Sequence, residues 1–217
     1  MSAAPKLYFV TVTITPSKEG IDLPRFIQKI SGILEDYSNA THVVHKFKVT
    51  GEAKILAVIQ VSNILGFERT IGGLWRLGSV QVTSTPIVNY ENFAQYLGVD
   101  PSIVSAPSRP LPKESLYWWS FNIEYGGKTT EDLLATWRRE ADFVMSARAK
   151  DGFPIELYKV ASERKVHCFL QVDDPARLDQ MVYQLPIIRE NGQNVTLECR
   201  AIQYLNDYCQ RIMSESL

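Results

Sequence analysis

Two periodicities alternate along the chain, and they come in the same order twice. The first half opens on a β-branched and aromatic run at 7–14, which predicts a strand. Asp22 and Pro24 then mark a helix start, and Leu23, Phe26, Ile27, Ile30, Ile33, Leu34 and Tyr37 recur at helical spacing as one apolar face. Strand patterns follow at 41–49 and 55–61, with Gly51 in the turn between them. A second helix is predicted over 63–77 with Phe67, Ile71, Leu74 and Trp75 inward, weakened at Gly72-Gly73. The last strand, 80–88, contains Pro86, which predicts an edge or a bend.

The second half repeats this series. A strand at 116–125 leads through Gly126-Gly127 to a helix capped by Thr129 or Thr130, with Leu133, Leu134, Trp137, Ala141, Val144 and Met145 on one face and Asp151-Gly152 at its end. Strands are predicted at 155–160 and 166–172, a helix after Asp174-Pro175 with Leu178, Met181, Val182 and Leu185 inward, and a final strand at 195–202. Residues match as well as order. Ile59-Gln60-Val61-Ser62-Asn63 parallels Leu170-Gln171-Val172-Asp173-Asp174, and Tyr90 with Phe93 parallels Tyr204 with Tyr208. Between the halves, Pro101, Ser102, Pro107, Ser108, Pro110 and Pro112 have the composition of a linker. The expected organisation is therefore a first repeat at 1–100, a linker at 101–114 and a second repeat at 115–217.

A βαββαβ unit of the ferredoxin-like kind forms a four-stranded antiparallel sheet with both helices on one face. Strand alternation tests what covers the other. Tyr117, Trp119, Phe121, Ile123 and Tyr125 alternate with Trp118, Ser120, Asn122 and Glu124; Val166, Cys168, Leu170 and Val172 alternate with His167, Phe169 and Gln171. One face is apolar and suits the helices. The other mixes Trp118, Phe169 and Ile202 with polar groups, and large apolar side chains are seldom left to water in such numbers. The predicted fold class is α+β, with two tandem ferredoxin-like repeats packed through their mixed faces as a single-chain pseudo-dimeric α/β-barrel.

Composition narrows the partners. Formal net charge is −1 from 23 basic and 24 acidic residues, so no positive excess is available for phosphates, and neither nucleic acid nor an anionic membrane is an expected partner. No apolar run approaches a membrane span. The opening Met1-Ser2-Ala3-Ala4-Pro5-Lys6 has no secretory apolar region, and Cys168, Cys199 and Cys209 lack CxxC spacing, which together predict a cytoplasmic protein with reduced thiols. Phosphate loop, GxGxxG, HExxH and nucleophile-elbow motifs are missing from the sequence.

The second repeat resembles the dimeric α/β-barrel superfamily, in its muconolactone isomerase-like branch. The likeness spans 131–202 and is carried by Trp137-Arg138-Arg139-Glu140-Ala141, Gly152, Leu157-Tyr158-Lys159-Val160, Phe169-Leu170-Gln171-Val172-Asp173-Asp174, Leu185-Pro186-Ile187 and Val195-Thr196-Leu197-Glu198. The first repeat matches only through the duplication, with Leu74-Trp75-Arg76-Leu77 where the second has its Leu-Pro step. The resemblance implies the barrel fold and a cofactor-independent isomerase or cyclase, moving a proton on a small organic acid, lactone or polyketide-like carbonyl compound. Some barrels of the superfamily bind haem through a histidine, but no haem-attachment motif stands in the sequence and no cofactor or metal is expected. His42 and His45, three apart on one strand, are expected on opposite faces, where they cannot share a metal.

In the fold's usual 4-1-3-2 strand order, the mixed face gathers His167, Glu198, Arg200 and Glu124 as candidate catalytic groups, with His167 or a carboxylate as base and Arg200 as partner of an anionic intermediate. Trp118, Ser120, Asn122, Tyr158, Gln171 and Trp137 are the expected substrate contacts. The plainer reading has the charges simply paired as polar lining, and Arg138, Arg139 and Glu140 on the solvated side of their helix. The first repeat offers only Thr11, Thr13 and Gln60 in the comparable places, so the working pocket is expected in the second. The expected partner is a small hydrophobic or anionic ligand, with sheet edges as the place for a second copy. The alternative to an enzyme is a non-catalytic small-ligand-binding or assembly protein.

Overall fold

A computed structural model describes residues 6–214. Met1–Pro5, on which the reading of the N-terminus rests, lies outside the described residues. The elements run β1 (Lys6–Ile14), α1 (Leu23–Glu35), β2 (Thr41–Val49), β3 (Lys54–Val61), α2 (Ile64–Trp75), β4 (Val80–Asn89), α3 (Tyr90–Tyr96), α4 (Pro101–Val104), β5 (Leu116–Ile123), α5 (Thr130–Asp151), β6 (Ile155–Val160), β7 (Lys165–Gln171), α6 (Ala176–Gln184), α7 (Pro186–Asn191), β8 (Val195–Tyr204) and α8 (Leu205–Ser214).

These elements form two compact units, and the division does not follow the expected one. The first unit runs up to Ile87 and takes back the chain from Ile202; the second is Val88–Ala201. Residues 101–114, read as a linker, belong to the second unit: Val104 and Leu111 are buried, and Asp100 caps α4 by accepting the Ser102 N–H at 2.8 Å. An acidic cap followed by proline is a helix start as much as a linker composition.

In the first unit the strand order is β4-β1-β3-β2, antiparallel throughout, with the end of β8 added beside β2 through Phe47↔Tyr204. Val10, Val12, Ile55, Ala57 and Ile59 face Ile27, Ile30 and Leu34 of α1, Phe67 and Leu74 of α2, and Leu205 of α8. Gly72-Gly73 does not interrupt α2. Gly66 is required there, because a Cβ would stand 2.2 Å from that of Ala40. Pro86 lies within β4, opposite Tyr8. A register shift in β2 between Val43 and His45 makes Val44 an extra residue, so His42 opposes Gln60 and His45 opposes Val58. The bulge thereby puts both histidines on one face, which corrects the expectation from regular alternation.

In the second unit the order is β8-β5-β7-β6. The apolar face of β5, Trp119, Phe121 and Ile123, packs with Leu133, Trp137, Ala141 and Met145 of α5, as the alternation predicts. α5 starts on a capping box in which Thr129 and Asp132 satisfy each other's backbone N–H, and it ends on Gly152 at φ 62°. Pro186 breaks the following helix in two: Leu185 is forced into extended backbone, ψ 126°, and α7 restarts after it. Helix α3 packs on α5 through Phe93 and Trp137, ring centroids 4.8 Å apart, and Arg148 of α5 pairs with Glu91 of α3.

A matching detail recurs in the two units. Lys159, the next-to-last residue of β6, returns its ammonium to the carbonyls of Val160 (2.7 Å) and Glu163, beneath the rings of Phe93 and Trp137. Lys48 of β2 does the same with Val49 (2.6 Å) and Glu52, beside Tyr208. The turn that follows holds Gly51 at φ 76° in the first unit and Ser162 at φ 61° in the second.

Candidate functional site

Between the apolar face of the second unit's sheet and its helices lies a cavity of about 360 Å³. Its floor is Trp119, Phe121 and Ile123 of β5, Val166, Cys168 and Leu170 of β7, and Ile155 and Leu157 of β6. Its roof is Trp137, Glu140, Val144 and Ala147 of α5, with Met181, Leu185 and Ile187 from the broken helix. Polar groups occupy two levels. Exposed Asp151, Arg177 and Gln184 stand at the rim, while buried Tyr90, Trp137, Glu140 and Cys168 lie inside.

Glu140 is the principal electrostatic feature. The residue is 7% exposed, and its Oε2 accepts the Ile187 backbone N–H at 3.0 Å. That N–H belongs to the first turn of α7, where the Pro186 break leaves amides without helical acceptors. Burial among apolar walls raises the carboxyl from 4.5 to about 7; the Ile187 bond opposes the rise, and the nearby Glu190 carboxylate adds to it. The same burial, with Glu140 close by, pushes the Cys168 thiol and the Tyr90 phenol upward, so both stay protonated at neutral pH. The Trp137 Nε1–H comes near enough to Tyr90 to favour its phenolate slightly, yet meets no acceptor in hydrogen-bond geometry.

The candidates named from sequence are distributed otherwise. Ser120 and Tyr158 both stand opposite His167, on β5 and β6, and Trp118 donates its Nε1–H to His167 Nδ1 at 3.3 Å. These four do share one face, the one opposite the cavity. Burial lowers His167 to about 3, with Lys165 adding to the effect, so the imidazole is neutral. Tyr158 packs edge-on against Phe169, and burial pushes its phenol upward. Glu198 and Arg200 of β8 pair with each other at 3.2 Å and are half-exposed. Glu124 lies beyond the end of β5, 63% exposed, paired with Arg164 at 2.5 Å; Asn122 is exposed, and Gln171 bonds Asp173. Trp137 alone of the ten lines the cavity. Arg139 pairs with Glu190 at the surface as the amphipathic reading expects, but Glu140 does not share that side. It lies three residues on from Trp137, one helical row along the buried face.

The comparisons with known proteins address fold and function separately. No family model and no curated protein matches the sequence. Among solved structures, a chlorite dismutase variant from Candidatus Nitrospira defluvii superposes with a TM-score of 0.57 at 12% identity, covering 96% of this chain and 95% of that one. The same enzyme in complex with imidazole gives 0.55 at 10%, covering 94% of each. A haem-binding protein from Thermus thermophilus gives 0.55 at 10%, covering 97% and 94%. Likeness at such low identity speaks for the fold. It supports the α/β-barrel fold expected from the sequence and gives no support to the muconolactone isomerase-like branch. The expected cofactor-independent isomerase or cyclase is overturned on the same ground: the neighbours are chlorite dismutases and a haem-binding protein, and the proton-transfer site drawn for that reaction is divided between a neutral buried histidine and surface ion pairs. The chain is similar in fold to chlorite dismutase over nearly its whole length.

Proposed function

We propose that this chain is a binding protein for a small, flat, largely apolar organic molecule, held beneath α5 in the second unit. The observation that carries the reading is the cavity itself, aromatic-walled, with the buried Glu140 carboxyl inside and exposed charged side chains at the rim. Concave, mostly apolar pockets with a few convergent polar groups are the usual form of small-molecule sites.

A haem-binding protein among the structural neighbours makes haem the first ligand to weigh, and the residues present do not fit it. Haem iron takes a histidine, a cysteine thiolate or a tyrosinate, and a methionine only opposite a histidine. The chain has three histidines: His42 and His45 stand on β2 of the first unit, and His167 faces away from the cavity. Inside it, Cys168 and Tyr90 are held protonated, and the Met181 thioether has no histidine in the lining to stand opposite.

The two units are also read as unequal copies of one βαββαβ ancestor. Support comes from the recurring Lys48 and Lys159 arrangement, the positive φ at Gly51 and Ser162, and the 4-1-3-2 order in each sheet. Titration with fluorene, a flat three-ring hydrocarbon, tests the binding reading through tryptophan emission. The expected result is saturable quenching that Ala147→Trp, which fills the cavity, abolishes. A haemin complex that survives gel filtration and is lost in Cys168→Ala overturns the exclusion of haem.

A further inference from the structure

The cavity meets solvent at exposed residues of α5 and α6, and two of them are charged: Asp151, the last residue of α5, and Arg177, in the first turn of α6. Arg139, Arg148 and Arg164 of the same unit each hold a carboxylate, those of Glu190, Glu91 and Glu124. Arg177 holds none among the described residues, and it does not pair with Asp151 across the rim. The acids just before it in sequence are engaged elsewhere: Asp173 accepts from the Gln171 amide, and Asp174 from the Ala176 N–H at 2.9 Å. Among the described residues Arg177 is also the one basic side chain in the lining. The inner end has the opposite character. Glu140, 7% exposed and accepting the Ile187 N–H, sets a carboxyl there with no cation beside it. An anion carried inside would lose its water next to that carboxyl, whereas at the mouth it keeps part of its hydration and meets a guanidinium.

Resting on the ligand-binding reading above, we infer that the natural ligand is an amphipathic acid, whose flat apolar body lies in the cavity and whose carboxylate, at the outer end, is held by Arg177. The guanidinium fork matches a carboxylate with two parallel N–H···O bonds. Asp151, of opposite sign on the same rim, favours a monoacid over a diacid.

The test uses four probes with one ring system: fluorene, and fluorene bearing a carboxylate, a carboxamide or a methylammonium group on an end ring. Carboxylate and carboxamide match in shape and differ in charge. In neutral buffer of low ionic strength, the full-length protein should bind the carboxylate about fivefold more tightly than the carboxamide, the upper end for an ion pair in contact with water. The preference should shrink in molar salt, a readout in the unsubstituted protein that needs no variant. Arg177→Gln, at an exposed position, should bind the two about equally. A carboxylate bound no more tightly than the carboxamide, while fluorene still binds, overturns the acid and leaves the cavity reading standing. A methylammonium that binds tightest overturns it too and gives Asp151 the part assigned to Arg177. A preference that survives in Arg177→Gln overturns the assignment of that residue. Failure of all four to bind overturns the cavity reading and this inference with it.

Discussion

Replacing Glu140 by glutamine should make the protein more stable in alkaline buffer and leave it nearly unchanged in acid. Glutamine keeps the size of the side chain and a carbonyl oxygen for the Ile187 N–H, so what it removes is the charge. Burial raises the carboxyl from 4.5 to about 7, and a group raised on folding contributes its stability below the unfolded value and loses it as pH climbs through the folded one. The window is therefore pH 4.5 to 7. At about 1.4 kcal/mol per unit, the ionised carboxylate costs roughly 3 kcal/mol above that window, in a residue too buried for water to screen it. For a chain of this length each kcal/mol moves the melting temperature by about 2–4 °C, so Glu140→Gln should melt roughly 6–12 °C higher than the parent at pH 8.5. At pH 4.5 the two should melt together. His45 and His167 titrate equally in both proteins and cancel from the difference. Scanning fluorimetry at half-unit pH steps reads the result. A gap that does not vary with pH, or a variant less stable at pH 8.5, refutes the buried carboxylate.

Acid should act through the histidines. Burial lowers His45 to about 4 and His167 to about 3, and groups depressed on folding hold their stability above the unfolded value of about 6.5 and lose it as pH falls toward the folded one. Urea midpoints should fall between pH 6.5 and 4, less steeply in His167→Gln; equal slopes count against its burial. Ser162→Gly, which places in the second unit the residue the first has at Gly51, should relieve left-handed strain at φ 61° and stabilise by roughly 0.5–1 kcal/mol by urea unfolding. Gly66→Ala should destabilise by about 1–3 kcal/mol, since its Cβ would stand 2.2 Å from that of Ala40; an unchanged midpoint would show that α2 shifts freely.

The strands and long helices were legible because both periodicities are local and each half repeats them. What was not legible depends on pairing or on context. The bulge at Val44 in β2 exists only through its register with β3, and three-residue spacing therefore misplaced His42 against His45. Helix α4 lies where proline and serine read as linker, although the Asp100-Pro101 cap was there to be seen, and α3 and α8 follow β4 and β8 in stretches of the two repeats to which no element was assigned. The cavity was missed for a more general reason. The apolar face of β5 and β7 was assigned wholly to packing, so the mixed face drew all the polar candidates; the cavity lies on the apolar side. A signal did exist. Glu140 falls on the row of Leu133, Trp137 and Met145, and a carboxylate in an apolar helical stripe is either buried for a purpose or paired.

The most direct measurement is a crystal structure of the full chain grown with fluorene. The account predicts the rings between Trp119, Phe121 and α5. Density for the rings on the opposite side of β7, against Trp118 and His167, would contradict it, as would an empty cavity under saturating fluorene.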